Sequence, residues 1–288
     1  VDEGDDPFEE STLRKANPNW GVSVEPKVVL QTASKARQVA TARANYLTKH
    51  LNIWVDANEA LFDTEHWRRC EDKALDEADF AQDESVIALD LASKIDVAAK
   101  LNVYRRQING KDHYYAFPAF FLPRAAIEED RHPMYRGWEM QGDIECTAGE
   151  TIDFAVVEDE IRLEVPGRNI AAVVADPWQA QYLIKNLERD NFPAAEMRQT
   201  VANMSEATKT LDALMREGRI HHPGNAVLNW MIGNVVGHFD AKDNVYPRKE
   251  LPANKIDGAV ALIMALGWFV ANKADGPSVY EERGVLML

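Results

Sequence analysis

The sequence predicts an α/β domain with a mixed β-sheet flanked by helices, and two observations lead to this fold class. Segments rich in β-branched and aromatic residues between positions 85 and 121 are separated by Asn109-Gly110, a strong signal for a two-residue hairpin. Further along, residues 170–175 form an unbroken apolar run, which is typical of a strand covered on both faces of a sheet. Because strands come first and strand–helix alternation follows, we expect one mixed sheet over residues 85–275.

The first part of the chain predicts an arm followed by a three-stranded meander. Good helix formers with spaced leucines predict a helix at residues 27–51. We interpret residues 1–84 as a linker and partly helical arm that packs on the domain after it. Three antiparallel strands are predicted next, at residues 85–90, 96–104 and 113–121, with the hairpin signal between the second and the third. A further small hairpin is expected at residues 152–165.

The second part of the chain alternates strands with helices. After the buried strand at residues 170–176, Pro177 stands at a helix-start position. Gly218 follows the last residue of another helix, where glycine commonly ends helices. The apolar patterns predict helices at residues 178–189, 205–217, 227–232 and 256–271, a weaker strand at 192–197 and a hairpin over 234–245.

Composition excludes several classes of protein. The 288 residues are 46% apolar and 27% charged, which is ordinary for a globular domain. The only two cysteines, Cys70 and Cys146, exclude a disulfide scaffold and a four-cysteine zinc site. The longest apolar run has about 14 residues, whereas a membrane span needs roughly 20, so we expect no membrane partner. The chain begins with Val1 and not with Met, from which we infer a fragment or a processed product.

The net charge of −15 at first argues against a nucleic-acid partner, but its distribution weakens that argument. Residues 1–10 hold six acids and no base, and residues 56–84 hold eleven acids and three bases. The rest of the chain holds 30 acids and 29 bases and is close to neutral. A DNA-binding surface therefore remains compatible with the acidic total.

Three aspartates occupy related positions in the predicted fold. Asp90 ends one strand, Asp176 ends another, and Asp257 opens the long apolar helix. Strand ends and helix starts are where α/β folds place their sites. Carboxylates brought together repel one another, and bound Mg²⁺ or Mn²⁺ relieves that repulsion with hard oxygen ligands. Two such ions roughly 3.5–4 Å apart can hold the attacking and leaving oxygens of a phosphodiester.

Each aspartate also has a structural alternative that the spacing alone leaves open. Asp176 before Pro177 is well placed for a helix N-cap. Asp257 in the first turn of a helix can be a partner of the helix dipole. Asp90 can end its strand in solvent. From the residues alone, a shared metal site and separate structural roles for the three aspartates therefore both remain open.

Three sequence blocks surround the aspartates, and two further blocks accompany them. The blocks around Asp90, Asp176 and Asp257 are SVIALDLASKID at 85–96, VVADPWQA at 173–180 and KIDGAVALIMALG at 255–267, and the further two are HHPGNAVLNWMIGN at 221–234 and LNIWVD at 51–56. In content and in order, these blocks resemble the large terminase subunit of tailed bacteriophages, and in particular its nuclease half.

The resemblance implies a ribonuclease H-like fold and an endonuclease that cuts double-stranded viral DNA concatemers during genome packaging. It implies that Asp90, Asp176 and Asp257 bind two divalent ions, Mg²⁺ or Mn²⁺. Asp96 matches a frequent acid of the first motif, as an auxiliary metal ligand or as a local cap. No phosphate-binding Gly-x-x-x-x-Gly-Lys-Ser/Thr loop is present, so we expect no ATPase activity from this chain.

The family also implies partners and a location. The partners are double-stranded DNA, the portal protein, the small terminase subunit and other copies of the large subunit in a motor ring. We expect the protein in the host cytoplasm, transiently at the procapsid portal and absent from the mature virion. Residues 276–288 end in Leu286-Met287-Leu288, a tail that can dock on the portal or remain disordered.

Basic and aromatic side chains complete the candidate residues. Lys94, Arg105 and Arg106 are candidates for DNA phosphate contact, and the same reasoning covers Lys111, Arg124, Arg131 and Arg136. The seven tryptophans, Trp178 among them, are expected in the core and not as base-stacking residues. Two other functions stay open at this point: a different ribonuclease H-like DNA enzyme, such as a transposase or junction resolvase, and a non-catalytic portal-docking domain.

Overall fold

The structure, a computed structural model, describes residues 1–2, 5–38, 40–51, 53, 60–91, 96–129, 132–251 and 253–272. Its centre is a seven-stranded mixed sheet, and a separate two-stranded hairpin lies beside it. The strands of the sheet are β1 (Glu84–Asp90), β2 (Ala98–Ile108), β3 (Lys111–Pro123), β4 (Glu145–Thr147), β5 (Ile170–Ala175), β6 (Ala194–Glu196) and β7 (Ile220–His221). The hairpin strands are β8 (Val235–Phe239) and β9 (Val245–Lys249).

The sheet order is β4-β3-β2-β1-β5-β6, with β7 also paired to β3. Strands β1, β2 and β3 form the antiparallel meander that the sequence predicts, and the turn between β2 and β3 places Asn109 and Gly110 at φ of 52° and 75°. These positive φ values are the ones that an Asn-Gly hairpin turn requires. Strand β5 then pairs parallel to β1, so the carboxyl ends of both strands lie at one edge of the sheet.

Helices cover both faces of the sheet. One face packs against α9 (Val201–Glu217), α10 (Ala226–Gly233) and α11 (Asp257–Ala271) through the largest hydrophobic cluster. The other face packs against α7 (Phe154–Glu164) and α8 (Pro177–Arg189). The remaining helices are α1 (Glu10–Ala16), α2 (Pro26–Gln38), α3 (Ala40–Leu51), α4 (Thr64–Arg69), α5 (Arg124–Glu128) and α6 (Tyr135–Gln141).

The N-terminal helices have a small core of their own. Leu13 of α1, Val29 and Ala33 of α2, and Tyr46 of α3 are buried together. Phe62 and Trp67, by contrast, are buried in the main cluster beside the sheet. The boundary between an arm and a nuclease domain at residue 84 therefore stays a proposal.

The helix expected at residues 27–51 is matched by α2 and α3, which lie on either side of position 39, a residue outside the described part of the chain. One predicted element differs from the structure. The hairpin expected at 152–165 is wrong, because these residues form α7. Asp153 caps that helix by accepting a hydrogen bond from the Ala155 N–H at 2.9 Å. Val157 and Ile161 lie one turn apart and are both fully buried, so the helical period decides the conformation.

Among the described residues, no helix has both the length and the apolar character needed to cross a membrane.

Candidate metal centre

The pairing of β1 with β5 brings Asp90 and Asp176 to the same edge of the sheet. Leu89 lies opposite Ala175 in this parallel pair, so the two aspartates follow at adjacent strand ends. Along β1, side chains alternate between the two faces, and Asp90 shares its face with Val86 and Ala88. That face is the one covered by α11, which begins with Asp257.

The start of α11 is held close to the sheet. A side chain at Gly258 would come within 2.8 Å of the Phe120 ring on β3, so the close approach requires glycine at this position. Asn234 is fully buried, and its side-chain amide donates a hydrogen bond to the Lys255 carbonyl at 3.1 Å. These contacts fix the segment that leads into Asp257.

Asp90 and Asp257 line one cleft of about 430 Å³. Its other wall comes from the end of β9, which contributes two cations, Arg248 and Lys249. The remaining lining residues are Gln199, Tyr246, Pro247, Ile256 and Val260. Two carboxylates on one wall of the cleft therefore lie opposite two basic side chains on the other wall.

Gln199 connects the three elements around the cleft. Its side-chain amide donates to Asp90 Oδ1 at 2.9 Å, and its backbone N–H donates to Asp176 Oδ2 at 2.8 Å. Its carbonyl accepts a hydrogen bond from the Tyr246 hydroxyl at 3.2 Å. The other oxygen of Asp176 accepts from the Trp178 N–H at 2.8 Å and caps α8. The predicted N-cap role of Asp176 is therefore confirmed.

Burial and like charge raise the pKa values of two of the carboxyls. Burial raises the pKa of Asp90 to about 8, and the charges of Asp257 and Asp176 add to this rise. The hydrogen bond from Gln199 and the charge of Lys249 act in the opposite direction. Burial also raises the pKa of Asp257 to about 6, with the charge of Asp96 as the next cause. Each group resists ionising beside the others, as expected for clustered acids.

The donor set fits a hard divalent cation. Mg²⁺ is commonly bound by one or two carboxylates together with waters and substrate phosphates, and it does not need a full protein cage. Asp90 and Asp257 provide two carboxylates on an open cleft. Within the described parts of the chain, no three His, Cys, Asp or Glu side chains are arranged to hold a metal by themselves. Asp176 lies beside the cleft, with both oxygens hydrogen-bonded to backbone N–H groups.

Asp96 is close to the centre but is paired. Its Oδ2 lies 2.6 Å from the Lys255 Nζ, and its Oδ1 accepts from the Val97 N–H at 2.9 Å. Asp96 therefore acts as a local cap and ion-pair partner, and its charge still reaches Asp257. The structure leaves its role as an auxiliary metal ligand a prediction.

The structure does not bring Arg105 and Arg106 to the aspartates. Arg105 pairs with Glu84, which lies at the opposite end of β1 from Asp90. Glu84 and Asp90 are six residues apart along the strand, a distance of about 20 Å. Arg105 is ion-paired with Glu84, and the Nε of Arg106 donates to Asp83 at 2.9 Å. These two side chains lie away from the cleft, and their contact with DNA phosphates stays a prediction. Lys94 and Arg131 lie outside the described residues.

The sequence reasoning missed four residues of the site, namely Gln199, Tyr246, Arg248 and Lys249. The adjacent bases at 248 and 249 are the available signal, since they follow directly after the hairpin predicted at 234–245. Gln199 carried no signal, because glutamine is chemically ordinary and its contacts depend on the fold. The prediction for Trp178 is wrong: the side chain is 87% exposed, whereas Trp67 and Trp138 are buried as expected.

Comparisons with known proteins match this architecture. A family model described as terminase large subunit, endonuclease domain, matches residues 1–273. Protein YmfN of Escherichia coli K12 is 38% identical over 277 residues, which cover 93% of this chain and 61% of YmfN. The large terminase subunit of Enterobacteria phage HK97 is 26% identical over 258 residues, which cover 88% of this chain and 50% of the relative.

A solved structure shares the fold. The crystal structure of the HK97 bacteriophage large terminase aligns with a TM-score of 0.64 at 24% identity, over 93% of this chain and 55% of that one. The fold is therefore the ribonuclease H-like mixed sheet that the sequence predicts. The chain spans about half to three fifths of the length of the curated relatives it matches.

Proposed function

Because this chain belongs to the family of terminase large subunit endonuclease domains, we propose that it is a metal-dependent endonuclease that cuts double-stranded viral DNA. The observation that carries the proposal is the cleft itself. Asp90 and Asp257 line it together, and neither carboxylate forms an ion pair within the part of the chain that the structure describes. Like charges at such proximity cost stability, and a divalent cation offsets that cost.

The proposed catalytic carboxylates are Asp90, Asp176 and Asp257. We assign Asp90 and Asp257 to one Mg²⁺ or Mn²⁺ ion, because they share the cleft, and Asp176 to a second. Bound divalent ions supply Lewis acidity, which lowers the pKa of a water and neutralises charge developing on a phosphodiester. The carboxylates supply the negative charge that holds such ions, and they must lose their protons to do so.

The β9 wall supplies the complementary charge. Arg248 and Lys249 line the cleft opposite the carboxylates, where a phosphate of the DNA backbone would enter. Tyr246 anchors this wall to the site through its hydrogen bond to the Gln199 carbonyl. The chain's own residues therefore orient the scissile phosphate from one side and position the carboxylates on the other.

The wider role belongs to the whole protein. We propose that this endonuclease cuts DNA concatemers during genome packaging into procapsids, in the host cytoplasm and at the portal. The partners would be the portal protein, the small terminase subunit and other copies of the large subunit in a ring. We expect no ATPase activity from this chain, because it has no phosphate-binding loop of the Walker type. No specific observation favours the transposase, resolvase or docking alternatives.

The test is cleavage of supercoiled plasmid in Mg²⁺, Mn²⁺ or EDTA by the chain and by its Asp176→Asn variant. We expect metal-dependent nicking and linearisation that falls at least about 10³-fold in the variant, the size of effect expected when a group acting in the transition state is lost. Asp159→Asn is the matched control, because Asp159 is exposed on α7. Cleavage that persists in Asp176→Asn, or that needs no metal, contradicts the assignment.

A further inference from the structure

Helix α8 carries an exposed stripe of aromatic and basic side chains that begins next to Asp176. Trp178, Tyr182, Lys185 and Arg189 are spaced at i, i+4, i+7 and i+11, and they share one face of the helix. Trp178 is 87% exposed and Tyr182 is 79% exposed. We refer to these four residues as the α8 stripe.

The stripe contributes nothing to the hydrophobic core. The opposite face of α8 packs against the sheet through Ala180, Leu183, Ile184 and Leu187, all of which are buried. Neither Trp178 nor Tyr182 stacks on another ring within the described part of the chain. Two neighbouring aromatic side chains left in water are unusual on a protein surface and indicate a binding surface.

The cations of the stripe are available for a ligand. Lys185 is exposed and has no ion pair with any other described residue. Arg189 is close only to its chain neighbour Asp190, at 3.6 Å, with 70% of its side chain exposed. A cationic and aromatic stripe on a chain of net charge −15 favours a polyanion that also offers apolar groups, and the phosphates and deoxyribose sugars of DNA provide both.

The position of the stripe indicates that this nucleic acid is the duplex that the chain would cut. The Trp178 N–H donates to Asp176 Oδ1 at 2.8 Å, so the stripe starts at a proposed catalytic carboxylate. Helix α8 has 13 residues and extends about 20 Å from that point, or about six base pairs of a duplex. A duplex whose phosphodiester lies at the aspartates can continue along this face.

We propose that the α8 stripe binds the duplex DNA substrate beside the cleavage site, with Lys185 and Arg189 on phosphates and Trp178 and Tyr182 against the deoxyribose sugars. This inference rests on the proposed nuclease function for the position of the DNA. It adds a substrate-binding surface outside the cleft. The surface reads no specific sequence, because phosphate and sugar contacts are common to all duplexes.

The test measures the affinity of the chain for a fluorescent duplex by anisotropy in Ca²⁺ over a series of salt concentrations. We expect Trp178→Ala with Tyr182→Ala to weaken binding about tenfold, as for loss of an aromatic contact. Trp178→Phe should retain most of the affinity. Lys185→Gln with Arg189→Gln should reduce the slope of log affinity against log salt by about 1–2. Met140→Ala with Leu163→Ala removes equally exposed apolar side chains from other helices and should change nothing.

Three results would overturn the proposal. The first is an unchanged affinity in the aromatic double variant, and the second is a wild-type chain that does not bind duplex at all. The third is a stripe variant that binds DNA normally but loses self-association in sedimentation, which would identify a protein contact. The Asp257→Asn variant distinguishes failure of the stripe proposal from failure of the nuclease proposal. If the wild type binds duplex through the stripe but neither the wild type nor Asp257→Asn cuts it, the stripe proposal holds and the nuclease assignment fails.

Discussion

Two charged clusters lie on opposite faces of the same two strands, and they are built in opposite ways. Lys100 of β2 lies across from Leu89 of β1, one position away from the Asp90–Ala99 pair. Its side chain is 1% exposed and makes ion pairs with Glu160 at 2.9 Å and Glu164 at 2.6 Å on α7. On the face toward α11, Asp90 is flanked by the acids Asp257 and Asp176 and by the amide of Gln199, and the Lys249 charge across the cleft only partly offsets the rise in its pKa.

The network around Lys100 continues with matched partners. The Asn102 amide donates to Glu164 at 3.0 Å and to Glu77 at 2.8 Å. The Glu77 carboxylate also accepts from the Tyr104 hydroxyl at 2.7 Å and from Arg168 at 2.6 Å. Nearly every charge buried on this face has an opposite charge or a donor, as a structural role requires.

The comparison shows how buried charges with a structural role can be distinguished from buried charges with a functional role. The Lys100 network compensates its charges within the chain, so it stabilises the fold without needing a ligand. The aspartate cleft leaves like charges together, with pKa values raised to about 8 for Asp90 and about 6 for Asp257. Such an arrangement costs folding free energy and is therefore expected where an external cation completes the site.

The largest effect is expected from breaking the compensated network. Lys100→Met leaves the half-buried Glu160 and Glu164 without their counter-charge and should lower the free energy of unfolding by about 3 kcal/mol, because two hydrogen bonds between charged groups are lost. Chemical denaturation measures this loss, with Lys111→Met on the exposed hairpin as the control. A change below about 1 kcal/mol, typical of surface pairs, would show that the network is not needed for stability.

A smaller effect is expected from Gln199, which positions Asp90 and Asp176. Gln199→Ala removes the donor to Asp90 Oδ1 and should weaken the apparent affinity for Mn²⁺ about 10–100-fold, while saturating metal restores much of the cleavage rate. Metal titrations of cleavage and calorimetry would separate affinity from rate. Gln107→Ala, at the far end of β2, is the control, and equal titration curves for both variants would remove Gln199 from the site.

The smallest effect is a gain of stability with a defined pH dependence. The pKa of Asp90 rises from an ordinary value of 3.8 to about 8, so the folded state binds a proton that the unfolded state has lost. Without metal, stability should therefore fall as pH rises through that interval. Asp90→Asn carries no such proton, and above about pH 8 in EDTA it should be more stable than wild type by about 1–2 kcal/mol. A destabilised Asp90→Asn protein at that pH would instead give Asp90 a structural role.

Much of the fold was predictable because its signals are local. The Asn109-Gly110 turn and the apolar run of β5 predict the meander and the parallel strand, and both are confirmed. The region of α7 was misread because its apolar residues suit a strand as well as a helix. Two features distinguish the helix from a strand: Val157 and Ile161 are both buried one helical turn apart, and Asp153 caps the start of the helix.

The site was predictable only in its carboxylates, whose residue type and position carry a chemical signal. Gln199 and the β9 cations reach the cleft through tertiary packing, which no local pattern records. Trp178 lies opposite the apolar face of α8, so the helical period could have predicted its exposure, whereas its residue type alone suggests the core. Arg105 is basic like a phosphate ligand, but its own chain supplies Glu84 as its partner.

The central claim is that the uncompensated aspartates form a divalent metal site, and direct Mn²⁺ binding tests it without relying on cleavage. Calorimetry or electron paramagnetic resonance of the chain near pH 8 would count the bound ions. We predict saturable binding of two ions by the wild type, with at least one lost in Asp257→Asn and no change in Asp159→Asn. Absence of saturable binding, or equal binding by all three proteins, would contradict the claim.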